Sequence, residues 1–139
     1  MEKCSPPKTI SIKSSNSELP KVEEFIKDYF EQYNISNRYF NNVWLCISEA
    51  VINSIEHGNR NDSNKEVSIF VNCGTGILIA KVNDQGEGFD HNFIEDPTKN
   101  ENLLKESGRG IHIMKKLSDE IEFDKNEIKI VFKIDCFSE

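Results

Sequence analysis

Several classes of function are disfavoured by what this 139-residue chain lacks. It has no basic surplus. Seventeen lysines and arginines against 24 aspartates and glutamates leave a net charge of −7. That is the wrong sign for displacing counterions from nucleic-acid phosphates or for lying on an acidic membrane, so any phosphate it binds must be held by a few local groups. It has no long apolar run. Stretches such as Ile77 to Ala80 fall far below the roughly 20 residues that span a bilayer. No apolar segment precedes Pro6 and Pro7, so neither an anchor nor an export signal is expected. Its four cysteines, Cys4, Cys46, Cys73 and Cys136, are widely spaced, with no Cys-x-x-Cys pair and no histidine at zinc-ligand spacing. This argues against a disulfide framework or a zinc site and for a reducing, cytoplasmic compartment. There is no Gly-x-x-x-x-Gly-Lys-Ser/Thr loop, no internal repeat and no low-complexity tract.

What is present fits one globular domain over residues 1–139, with 37% apolar and 29% charged residues and enough chain to bury a core. After a flexible start at about 1–8, Thr9 to Ser14 alternates as a short strand. A first helix follows, with Ser17 as cap and Pro20 in its first turn. Leu19, Val22, Phe25, Ile26, Tyr29, Phe30 and Tyr33 form its apolar stripe. A second helix starts after a possible cap at Ser36 and runs to about His57, with Gly58 as its stop. Val67 to Asn72 and Ile77 to Asn83 read as a hairpin turning at Gly74-Thr75-Gly76. The stretch from about 86 to 108 has little periodicity and is long enough to be a functional lid. Ile111, Ile113, Met114 and Leu117 predict a short helix, and Glu120 to Asp124 with Ile128 to Asp135 a closing hairpin. The order predicts a two-layer α/β sandwich: a mixed, mainly antiparallel sheet of about five strands with helices on one face.

Three short motifs carry the chemistry. At 100° per residue, Glu49, Asn53, Glu56 and His57 share one face of the second helix, while Val43, Trp44, Ile47, Val51 and Ile55 lie opposite. One side can be buried while the other presents a carboxylate and a carboxamide. Asp84-Gln85-Gly86-Glu87-Gly88 follows a strand, and Gly108-Arg109-Gly110 precedes a helix. Each glycine pair has a plain reading beside the functional one. Gly86 and Gly88 could leave a strand through a turn needing positive φ, and Gly108 and Gly110 could be loop punctuation. A helix start is also where free N–H groups and the dipole favour a phosphate. His91 and His112 have no partners at ligand or triad spacing and read as structural or surface residues.

In that order, Glu-x-x-x-Asn on a helix, Asp-x-Gly-x-Gly after a strand and Gly-x-Gly opening a helix resemble the N, G1 and G2 boxes of the GHKL ATPase superfamily, which includes gyrase, MutL and sensor histidine kinases. Within it, His57-Gly58 closing the first motif and Ser107-Gly108-Arg109-Gly110-Ile111 in the third resemble the anti-sigma factor serine kinases of bacterial partner-switching systems. The likeness covers nearly the whole chain. It implies ATP and Mg2+ as cofactors, with Asn53 coordinating magnesium. Glu49 would be the catalytic base. Asp84 would accept a hydrogen bond from the adenine amino group, selecting adenine over guanine. Gly86 and Gly88 would admit the nucleotide, and Gly108, Arg109, Gly110 and Ile111 would meet its phosphates, with Arg109 as charge partner of the terminal one. Lys105 and Lys115 would assist or remain plain surface. His57 belongs to the family motif, but its chemistry gives it no role, and helix-end packing is the other reading. Many relatives place a Thr or Ser in the last strand near the adenine, and Ile128-Lys129-Ile130-Val131 offers none.

The resemblance therefore implies an ATP-dependent protein serine/threonine kinase that phosphorylates an anti-sigma factor antagonist and also binds a sigma factor. It allows a homodimer and calls for no direct contact with nucleic acid or membrane. An alternative of another class is a non-catalytic, ATP-gated interaction module of the same fold, which needs Asp84 and the glycines but not Glu49.

Overall fold

The computed structural model of the chain describes residues 6–86 and 106–134, with side chains from residue 110 onward in the second stretch. Its strands are β1 (Lys8–Lys13), β2 (Glu66–Gly74), β3 (Ile77–Asn83), β4 (Glu120–Asp124) and β5 (Glu127–Lys133). Its α-helices are α1 (Leu19–Gln32), α2 (Phe40–Asn53) and α3 (Glu106–Leu117). The sheet order is β1-β2-β3-β5-β4. All four pairings are antiparallel, so the mixed sheet expected from sequence narrows to an antiparallel one.

Strand alternation sorts the sheet into two faces, because successive side chains point to opposite sides. Val67, Ile69, Val71 and Cys73 of β2, Leu78, Ala80 and Val82 of β3, and Ile128, Ile130 and Phe132 of β5 are buried together. Register reinforces this, with Val71 opposite Ala80 and Ala80 opposite Ile130. The helices cover this face. Val22, Ile26, Tyr29 and Phe30 of α1 and Val43, Cys46, Ile47, Ala50 and Val51 of α2 join the same core, as does Met114 of α3. The opposite face carries partly exposed Phe70, Ile79 and Val131 among polar residues, with the Lys81 ammonium 5.3 Å from the Phe70 ring.

The turns follow local chemistry. Thr75 and Gly76 join β2 to β3, and Gly76 takes the left-handed φ of +78° that glycine tolerates. Lys125, at φ +52°, and Asn126 join β4 to β5. Past the end of β1, the Cys73 N–H donates to the Tyr29 hydroxyl at 2.9 Å, so α1 satisfies a backbone donor of β2.

Several boundaries differ from the sequence expectation. Short 3₁₀ turns at Asn16–Glu18 and Asn37–Tyr39 precede α1 and α2, and their caps are Ser15 and Ser36. Ser15 therefore takes the place expected for Ser17, because the extra turn moves the helix entrance upstream. α3 begins at Glu106 rather than near Ile111, so Gly108 and Gly110 lie inside its first turns and are not loop punctuation. Among the described residues no helix is long and apolar enough to cross a membrane. The segment expected as a lid lies mostly outside the described residues.

Candidate nucleotide site

The C-terminal end of α2 is built to meet two other motifs. After Asn53 the helix widens into a π turn over Ser54–Gly58, in which the Asn59 N–H donates to the Ser54 carbonyl at 2.8 Å, five residues back. Arg60 and Asn61 then take left-handed φ values of 54° and 60° to reverse the chain. The helical run thus ends at Gly58, as read from the sequence, but without a left-handed φ there. The glycine's lack of a side chain has another use: a Cβ there would collide with the Asp84 carboxylate. Gly86 is equally constrained, since its Cβ would strike the Gly58 carbonyl. Among the described glycines only Gly76 has positive φ. Close approach, not turn geometry, is what requires glycine at 58 and 86.

One turn before Asn53 on α2, a Cβ on Gly110 would collide with the Glu49 carboxylate. Glu49 therefore lies against the fifth residue of α3, one turn past the start of the helix, whose free backbone N–H groups favour anions. Cys46, one turn before Glu49, is fully buried. Burial, and secondarily the Glu49 charge, push its thiol from 9.0 up to about 12, so it stays neutral beside that carboxylate.

Asp84 is 7% exposed and Asn53 is 3% exposed. The Asp84 Oδ1 atom accepts from the Gly86 N–H at 2.8 Å and from Asn126 Nδ2 at 2.7 Å. Among the described residues, three buried side-chain atoms have no hydrogen-bond partner: Asp84 Oδ2, Asn53 Nδ2 and Ser54 Oγ. An unpaired buried polar atom costs about 1–3 kcal/mol, so Asp84 Oδ2 and Asn53 Nδ2 are atoms that a polar ligand would satisfy. Asp84 Oδ2 is an acceptor suited to an amino group. The Asn53 carboxamide offers a neutral oxygen of the kind magnesium accepts. The residues present thus fit a magnesium nucleotide.

A family model described as the histidine kinase-like ATPase domain matches residues 12–133. The chain belongs to that family. Within this ATPase family it groups with bacterial anti-sigma factor serine kinases. It is 33% identical over 115 residues to a protein named anti-sigma F factor from Geobacillus stearothermophilus, covering 80% of this chain and 76% of that one. It is 31% identical over 83 residues to the serine-protein kinase RsbW of Bacillus subtilis (strain 168), covering 55% of this chain and 52% of that one. The fold also matches a crystal structure of RsbU and RsbW domains from Mycobacterium tuberculosis. That match has a TM-score of 0.60 and 17% identity and spans 95% of this chain and 33% of that one.

In this ATPase domain the sequence-read residues fall into three groups. Asp84 and Gly86 meet at Gly58, Gly110 lies against Glu49, and Asn53 lies on α2 between Glu49 and Gly58. His57 is exposed, because the π turn breaks the 100° periodicity that placed it with Glu49 and Asn53. Ile111 is 4% exposed and its side chain joins the core, while Lys115 and His112 are exposed. Gly108 and Arg109 lie in the first turn of α3, and the Arg109 side chain falls outside the described ones. Gly88, His91 and Lys105 lie outside the described residues.

Three further residues were not singled out in the sequence. Asn59, 1% exposed, accepts from the Gln85 N–H at 2.7 Å and donates to Ser14 Oγ at 2.7 Å and to the Glu66 carbonyl at 3.0 Å. Gln85 Oε1 in turn accepts from the Glu66 N–H at 2.6 Å. Asn126 reaches Asp84 from the β4–β5 turn. Together they hold the loop after β3 in place. Their only sequence signal was an amide beside a motif or in a turn, the ordinary mark of turn chemistry.

Proposed function

We propose that this protein binds Mg-ATP at the end of α2 and transfers the terminal phosphoryl group to a serine or threonine of an anti-sigma factor antagonist. It acts in the cytoplasm as one domain over residues 1–139 and also holds a sigma factor, which an unphosphorylated antagonist displaces. The observation that carries this reading is the placement of Glu49 against Gly110. It sets a carboxylate suited to be a base within one turn of a helix start suited to hold phosphates. Asp84 Oδ2 accepts from the adenine amino group. The Asn53 carboxamide holds the magnesium ion, which neutralises phosphate charge when bound. Glu49 takes the proton of the attacking hydroxyl as the hydroxyl oxygen bonds to the terminal phosphorus and the bond from that phosphorus to the bridging oxygen breaks, releasing ADP. Arg109 is the charge partner of the terminal phosphate. Relatives named anti-sigma F factor and serine-protein kinase support both the partner class and the chemistry.

A non-catalytic, ATP-gated module would use Asp84 and the glycines but has no use for Glu49 at the mouth of α3. The two readings separate on incubating the protein with labelled ATP and candidate antagonists. The kinase reading expects a phosphoserine or phosphothreonine on the antagonist, reduced about 100-fold or more by Glu49→Ala while ATP affinity stays within a few-fold. Phosphoryl transfer at the wild-type rate by Glu49→Ala would contradict it. ATP binding with no transfer by the wild type would favour the module.

A further inference from the structure

Asn126 stands 42 residues from Asp84 in the chain yet is bonded to it twice. The Asp84 N–H donates to the Asn126 carbonyl at 2.9 Å, and Asn126 Nδ2 donates to Asp84 Oδ1 at 2.7 Å. The same amide nitrogen donates to the Gly86 carbonyl at 2.7 Å, so both of its hydrogens are used. Backbone and side chain of Asp84, and the backbone of Gly86, are therefore fixed by one residue of the β4–β5 turn. The consequence for the carboxylate is asymmetry. Oδ1 carries two donors, from Gly86 and Asn126, whereas Oδ2 is buried with no partner among the described residues. A carboxylate pinned at one oxygen cannot turn its plane freely, so its other oxygen has one direction in which to accept.

We infer that Asn126 is a positioning residue for base selection: it saturates Asp84 Oδ1 and aims Oδ2 at the exocyclic amino group of the adenine. This rests on the reading of Asp84 as the adenine acceptor. Asn126 does not touch the base. It acts through the orientation of Asp84, and its amide is neutral, so it leaves the negative charge of the acceptor intact. A merely structural staple between the β4–β5 turn and the β3 exit would weaken every nucleotide alike. Loss of a residue that aims Oδ2 weakens chiefly nucleotides that carry the exocyclic amino group.

The test is calorimetric titration of the whole protein with ATP and with inosine triphosphate, which carries a carbonyl oxygen where ATP has the amino group. The variants are Asn126→Gly, which suits a tight turn, Asn126→Ser, which retains one donor, and Asp84→Asn. Asn126→Gly is expected to weaken ATP binding about tenfold, the worth of one charge-assisted hydrogen bond, and to leave inosine triphosphate binding within about twofold. Asn126→Ser should recover part of the preference, and it carries the test if the glycine variant does not fold. An equal loss for both nucleotides, or an unchanged ATP preference in both Asn126 variants while Asp84→Asn abolishes it, overturns the inference. If the wild type shows no preference for ATP, or Asp84→Asn leaves ATP binding unchanged, the adenine reading itself fails and the inference with it.

Discussion

At Gly110 the α3 backbone lies against the Glu49 carboxylate, and a single methyl group would have to displace one of them. The carboxylate is the end of a flexible side chain, so the helix can keep its place while Glu49 moves. Alanine also favours a helix over glycine by about 1 kcal/mol. Gly110→Ala is therefore expected to melt at or above the wild-type temperature while losing at least about tenfold in phosphoryl transfer. Thermal unfolding and a transfer assay on the same preparation check this, and undiminished transfer would contradict it. The contrast with His57 is instructive. Both residues sit in family-like motifs, but His57 is exposed and Glu49 is held against a second element. Position in a motif was legible in the sequence, whereas the contact that gives a residue its work was not.

Among the elements, the π turn at Ser54–Gly58 sets the site, because it brings Gly58 under Asp84 and Gly86 over the Gly58 carbonyl. Both glycines should resist a methyl. A methyl at 86 meets backbone, which cannot step aside, so Gly86→Ala is expected to cost about 1–3 kcal/mol of stability. At position 58 the obstacle is the Asp84 carboxyl, whose displacement would break its bonds to Gly86 and Asn126, so Gly58→Ala should cost a similar amount of stability and most of the ATP affinity. Urea midpoints beside ATP titrations would show this, and ATP binding intact in Gly58→Ala would refute it. Strands and helices were largely legible from period: the β2–β3 and β4–β5 hairpins and the α1 stripe fall within a residue or two of their expected positions. The π turn was not, because one extra residue in a turn leaves no mark on an apolar pattern. The start of α3 was also misread, since two glycines within five residues weigh against a helix locally. Packing of Gly110 on Glu49 accompanies the helix that propensity disfavours.

For the molecule as a whole, the buried face of the sheet and the helix layer follow from apolar alternation, and the site sits at the edge of that core where α2 ends. Cys46, fully buried in the core, ties stability to alkaline pH. Its thiol ionises near 9.0 in ordinary surroundings and at about 12 in the folded chain, chiefly because burial disfavours the thiolate. Between those values the unfolded chain has released a proton that the folded one retains, so the unfolded state gains as pH rises. The Cys46 contribution is intact below about pH 9 and is lost at up to about 1.4 kcal/mol per pH unit above it. Denaturant unfolding from pH 8 to 11 should therefore show a shallower decline for Cys46→Ala than for the wild type, and parallel declines would contradict the assignment. The polar staples Asn59, Gln85 and Asn126 lay beyond sequence reasoning, because their partners stand as far as 45 residues away and only the closed sheet brings them together. The central claim is an adenine-selective site at Asp84. Its most direct test is calorimetric titration with ATP and GTP in the presence of magnesium, on the wild type and on Asp84→Asn. Saturable binding that prefers ATP at least tenfold and is lost in the variant is the predicted result; equal binding of GTP, or full ATP affinity in Asp84→Asn, would contradict the account.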